Sequence, residues 1–183
     1  MRHRLLLGLI VLSVFALPAS AVAQNRMPSA LTLAAGLDAG VYVPDEEFHT
    51  GFTPAGFLEF YLLPRVSVRG LAGWSRNEFV DLNDRYLEQG RFTFNVLYNW
   101  EHEYWHPCVT IGGGAHVVRT WQDDVVQTDW QWRPAFNLGI GIEYFARPKV
   151  TFKFEATYYA VRRDDPERES FGLALSVGMK KYF

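Results

Sequence analysis

The 183 residues carry 18 Lys and Arg against 20 Asp and Glu, a formal net charge of −2 that decides nothing by itself, and no basic patch in the sequence suggests nucleic acid. A single cysteine, Cys108, excludes an internal disulfide framework. Hydrophobic residues make up 49% of the chain while mean hydropathy is only −0.08, and beyond the first residues no apolar run is a candidate for a helical span.

The chain opens with Arg2 and Arg4, an apolar run from Leu5 to Leu17, and the small residues Ala21-Val22-Ala23 before Gln24. This pattern predicts a cleaved secretory signal peptide over 1–23 and one mature domain over 24–183, because the run falls short of the roughly 20 residues a helical span needs. No cysteine follows the run to take a lipid anchor.

The mature chain then gives eight segments with apolar residues at every second position, at 31–43, 53–63, 65–76, 90–100, 108–119, 130–145, 150–161 and 170–183. Joins at 44–52, 77–89, 120–129 and 162–169 are long and polar, those at Pro64 and Arg147-Pro148 are tight, and 101–107 is intermediate. The sixth segment is the clearest. Trp130, Trp132, Pro134, Phe136, Leu138, Ile140, Ile142 and Tyr144 share one face, and Gln131, Arg133, Ala135, Asn137, Gly139, Gly141 and Glu143 the other. A period of two is that of a strand, and at roughly 3.4 Å per residue this one can cross a bilayer core at a tilt. The last segment alternates likewise, with Phe171, Leu173, Leu175, Val177, Met179, Lys181 and Phe183 opposite Gly172, Ala174, Ser176, Gly178, Lys180 and Tyr182.

A leader, alternating strands and a terminal amphipathic strand ending in Phe resemble the small OmpA- and OmpX-like outer-membrane β-barrels of Gram-negative bacteria. The resemblance implies an all-β fold: a single eight-stranded antiparallel up-and-down transmembrane barrel in the outer membrane, with both termini periplasmic and the long joins outside. It also implies that Phe171, Leu173, Leu175, Val177, Met179 and Phe183 form the C-terminal signal read by the barrel-assembly machinery, with Lys181 a departure from the apolar residue usual there. Such barrels support envelope integrity, adhesion, resistance to host defence or the passage of small molecules.

A soluble lipocalin-like barrel would turn its apolar face inward. Here the second face is small, with Gly36, Gly40, Gly73, Gly112, Gly114, Gly139, Gly141, Gly172 and Gly178, which suits a crowded lumen. Parity places Asp38, Glu59, Glu143 and Glu155 inward with Arg69, Arg91, Arg133 and Lys153. Four acids against four bases predict a paired luminal charge network that plugs the barrel, since buried charge is costly unless paired; a proton or ion path is the functional alternative. Tyr42, Trp74, Trp100, Trp121, Trp130, Trp132, Tyr144 and Tyr158 are the expected aromatic girdle.

The long joins hold most of the remaining acid: Asp45, Glu46, Glu47, Glu78, Asp81, Asp84, Glu88, Asp123, Asp124, Asp129, Asp164, Asp165, Glu167 and Glu169. They serve hydration, or cation-bridged contact with lipopolysaccharide, whose phosphates Arg76 and Arg119 are placed to meet. His102-Glu103-Tyr104-Trp105-His106 matches the His-Glu-x-x-His pattern of zinc proteases, which needs a helix to align both His. Aromatic neighbours and Pro107 instead predict a strand-joining turn, leaving at most incidental metal binding. No His-x-Ser pair of a lipid A deacylase occurs, and no Ser clusters with His49 and Asp45 as in a palmitoyltransferase. His116 has no catalytic neighbour in sequence, and Gly112-Gly113-Gly114 lacks the Lys and helix of a phosphate loop.

The expected function is therefore a non-enzymatic outer-membrane barrel acting in envelope integrity or surface interaction through its outer loops. A channel for small, including hydrophobic, molecules is the alternative, and a lipid A-modifying enzyme the third reading. The expected partners are outer-membrane lipid and lipopolysaccharide, the assembly machinery and a surface or host ligand, with no nucleic acid and no cofactor.

Overall fold

The computed structural model describes residues 28–44, 49–79, 85–102, 104–123, 125–162 and 170–183. The leader over 1–23, Glu103 and the loop acids Asp45, Glu46, Glu47, Asp81, Asp84, Asp124, Asp164, Asp165, Glu167 and Glu169 lie outside the described residues.

The alternating runs become strands: β1 Leu33–Pro44, β2 Gly51–Leu63, β3 Val66–Glu78, β4 Arg85–Asn99, β5 Trp105–Gln122, β6 Val125–Val126, β7 Gln131–Arg147, β8 Val150–Val161 and β9 Ser170–Tyr182. β6 is a two-residue strand folded back on Trp121 and Gln122. The other eight pair antiparallel with their neighbours in chain order, and β1 closes against β9. Closure leaves none of these eight strands as an edge, the condition for a sheet to sit in hydrocarbon.

Following one row of partners around the wall fixes the geometry. Ala34 pairs with Glu59, and the row continues through Arg69, Asn95, Gly112, Asn137, Tyr159 and Gly172 before closing on Pro44. The circuit therefore returns ten residues farther along β1. With eight strands, that stagger sets a tilt of about 40° and an interior just wide enough for side chains. The tight turns at Pro64-Arg65 and Pro148-Lys149 lie at the end holding Leu33 and Phe183, here the terminal end; the longer joins lie at the opposite, loop end.

The two faces sort by polarity. Leu37, Phe94, Leu138, Ile140 and Val177 stand exposed on the outer wall, Phe94 at 80%, while Asp38, Glu59, Arg69, Arg91, Glu143, Lys153 and Lys180 are buried inside. A soluble domain could not carry such an apolar belt; a bilayer supplies the missing solvent.

Two expectations need correction. The segments 85–89 and 120–122 are strand, not loop, because outward cross-strand contacts hold the β4–β5 hairpin together beyond the apolar belt: Tyr86 stacks on Trp121 at 5.7 Å and Arg119 binds Glu88 at 2.5 Å. Tyr42 is not in the girdle. Its even position on β1 turns it into the lumen, where it is 3% exposed and meets Tyr159 edge-on at 6.2 Å. The space comes from Gly172, where a Cβ would strike the Tyr42 ring.

Candidate functional site in the barrel lumen

The lumen has two tiers. At the terminal end, Glu59 and Arg69 are ladder partners on β2 and β3, as are Glu143 and Lys153 on β7 and β8, so each pair enters the lumen side by side. Arg69 holds Glu59 through Nε at 2.9 Å and Glu155 through Nη1 at 2.6 Å, and lies 3.7 Å from Glu143. Lys153 Nζ lies 2.8 Å from Asp38 and 2.9 Å from Glu155. Ser67 donates to Glu59 at 2.8 Å, and Thr157 to Glu155 at 3.1 Å.

Lys180 ties this tier together. Its ammonium donates to Glu143 at 2.6 Å, to Glu59 at 3.1 Å and to the Tyr61 hydroxyl at 2.8 Å, with no exposed surface. Sequence reasoning put Lys180 on the inward parity of β9 but left it out of the charge balance. The signal was present in that parity. With it, three bases and four acids interlock in a space where removing one partner costs about 3–5 kcal/mol. Below them, Phe145 stacks on Tyr182 at 5.6 Å and His106 meets Phe145 at 4.5 Å.

The loop-end tier is built differently. Arg91 donates to the Thr53 hydroxyl and lies 5.3 Å from the ring centres of both Tyr42 and Tyr159. His116, its ladder partner, packs on Tyr159 at 5.3 Å and is joined at Nδ1 to Gln89 Nε2 at 2.6 Å. Arg133 is half-buried on the next strand, and its Nη2 donates to Gln131 at 2.8 Å. Among the described residues, no carboxylate on an inward strand face lies loop-ward of Asp38 and Glu155. Acids and bases are thus not matched along the whole lumen, as the even count suggested: the acids gather at the terminal end.

On the outer wall, Trp74, Trp121 and Arg119 all donate to Glu88, at 3.2, 2.9 and 2.5 Å, and Arg119 also lies 4.3 Å from the Trp130 ring. Arg76 covers Tyr86 at 3.3 Å. Trp132 stacks against Phe92 and Tyr158 against Phe171 on the same wall. Toward the terminal end, Trp100 meets Tyr98 at 5.0 Å and Tyr144 meets Trp105 at 4.7 Å. Glu88 thus belongs to a strand and an aromatic cluster rather than to a hydrated loop. A shallow groove of about 580 Å³, lined by Ala39, Val41, Ile140, Phe154, Ala156 and Val177, lies on this outer wall and not in the lumen.

The His-Glu-x-x-His residues are not brought together as a helix would bring them. His102 precedes β5, Trp105 points outward, and His106 is buried inside. Among the described residues, no three His, Cys, Asp or Glu side chains are grouped to hold a metal. Cys108 is a buried free thiol facing the lumen, and His49 lies beside β3, its amide donating to the Glu78 carbonyl at 2.7 Å. Gly112-Gly113-Gly114 is mid-strand in β5.

A family model described as the outer membrane protein beta-barrel domain matches residues 7–178. No curated protein matches the chain. Among solved structures, Neisserial surface protein A superposes with a TM-score of 0.68 at 11% identity, over 82% of this chain and 97% of that one. OprG from Pseudomonas aeruginosa gives 0.62 at 10% identity, over 87% and 99%, and the attachment invasion locus protein of Yersinia pestis 0.53 at 15%, over 83% and 97%. At such identities the likeness is one of fold.

Proposed function

The chain belongs to the outer membrane protein beta-barrel domain family, and from that premise we propose that it is a non-enzymatic outer-membrane protein that supports the envelope and contacts its surroundings through the loop end. The observation that carries this reading is the terminal-end tier, in which Lys180, Arg69 and Lys153 are locked to Glu59, Glu143, Glu155 and Asp38. In a barrel of eight strands these side chains fill the cross-section, and moving them aside would strand buried charges. The lumen works as a rigid plug, not a pore.

The termini face the periplasm in this reading, which puts the Glu88, Arg119 and Trp121 cluster at the outer interface. In this reading Arg76 and Arg119 would meet lipopolysaccharide phosphates, which guanidinium groups favour, with the tryptophans at the apolar boundary. Outer-membrane lipid, lipopolysaccharide and a surface or host ligand are the partners this arrangement suits.

Planar-bilayer recording of the refolded protein tests the plug. The expected trace shows no stepwise conductance above the bare bilayer. Reproducible steps would overturn the plug and restore the rival reading, a small-molecule channel.

A further inference from the structure

We propose that the loop-end tier of the lumen is a binding site for a small oxyanion, held by Arg91 and His116. Every cation of the terminal-end tier touches a carboxylate, with Arg69, Lys153 and Lys180 each meeting at least two. Arg91 is as deeply buried, at 2% exposure, yet its hydrogen bond goes to a neutral hydroxyl, Thr53, and its Nε and Nη1 have no partner. The faces of Tyr42 and Tyr159 attract the guanidinium through their quadrupoles but leave its N–H groups unanswered.

His116 adds a donor to the same space. The Gln89 amide donates to Nδ1, which assigns the ring proton to Nε2, and Nε2 has no partner either. The Ser75 hydroxyl, on the ladder partner of Gln89, is likewise buried and unpartnered. Arg91 and His116 face each other across the β4–β5 ladder, and each lies 5.3 Å from the Tyr159 ring. Three donor nitrogens and a hydroxyl are therefore left unpartnered on neighbouring inward positions loop-ward of Asp38 and Glu155, where, among the described residues, no inward carboxylate stands. Water could answer the hydrogen bonds, but the charge is offset only from the terminal-end tier, whose four acids outnumber its three bases and make no contact with Arg91. A tetrahedral or planar oxyanion answers both, with several acceptor oxygens for donors that arrive from different directions. The chemistry on the ligand is a phosphate, phosphate monoester or carboxylate small enough to enter from the loop end. The site stands whether or not the barrel conducts, because it lies loop-ward of the plug.

The test uses the refolded full-length mature barrel in zwitterionic detergent, titrated with sodium phosphate against sodium chloride at constant pH and ionic strength while the histidine ring resonances are followed by NMR. Phosphate is expected to move the His116 signal saturably and chloride is not. Arg91→Met, folded by its heat-dependent gel mobility, is expected to need at least tenfold more phosphate for the same shift. If that variant does not fold, Arg91→Lys replaces it, with at least threefold weakening expected because the rigid donor fork is lost. A wild-type His116 signal indifferent to phosphate, a shift confined to His49 or His102, or undiminished affinity in the folded Arg91 variant would each overturn the site.

Discussion

The carboxylate of Asp38 reaches Lys153 at 2.8 Å across an intervening strand, because the ladder position between them is Gly178. A Cβ on Gly178 would strike both that carboxylate and the Leu37 carbonyl oxygen. One missing side chain thus lets β1 and β8 share an ion pair without being neighbours.

Replacing that glycine should break the pair. Gly178→Val is expected to destabilise the barrel by about 3 kcal/mol, the order of cost of parting a buried ion pair or overpacking a filled interior. Urea unfolding in lipid vesicles measures it, and a loss below about 1 kcal/mol would mean that the contact is dispensable.

Lys180→Met removes the hub of the terminal-end tier and leaves Glu59 and Glu143 short of a partner. The expected loss is about 3–5 kcal/mol, and adding Glu143→Gln should return part of it, since one of the stranded charges is then gone. Unfolding free energies of both singles and the double, taken as a cycle, read the coupling; strictly additive losses would show that the two residues do not interact.

Phe94 is the most exposed of the large apolar belt residues at 80%. On a soluble protein such a position tolerates nearly any residue within about 0.5 kcal/mol. In a bilayer, Phe94→Arg is expected to cost about 2–4 kcal/mol. Refolding into vesicles with unchanged stability would contradict a lipid-facing wall.

Glu88→Gln keeps shape and removes charge from a carboxylate that accepts from Trp74, Trp121 and Arg119. The pair is partly exposed, so the stability loss should stay below about 1 kcal/mol. The expected signature is optical, a changed tryptophan emission from folded protein in vesicles. An emission spectrum identical to wild type would remove Glu88 as the anchor of that cluster.

The wall of this molecule was readable because each strand divides lipid from a crowded lumen, two environments that tolerate no mixing at alternate positions. Glu59 shows how far parity reaches: its strand carries apolar side chains on both faces, yet it points inward as its odd position requires. What could not be read depends on contacts between strands distant in sequence. Tyr42 has the amphipathic look of an interfacial residue, and only the register against Gly172 reveals the room that admits it. Arg91 and Arg69 occupy equivalent parities on neighbouring strands, but the tilt raises one above all the inward acids and leaves the other among them. The hairpin beyond residue 89 was hidden because Glu88 and Arg119, polar residues that usually mark a loop, stabilise strand ends by pairing outward.

The ten-residue return of the ladder makes the wall a closed screw thread, and a thread counts in whole steps. One residue inserted in the middle of any of the eight strands would turn its remaining side chains inside out and leave the last turn of the thread unable to meet the first. Such a change has to be expelled toward a rim as a bulge. Change in length is therefore confined to the connections, so this architecture can lengthen, shorten or re-letter what it presents beyond the membrane while its bore and pitch stay constant.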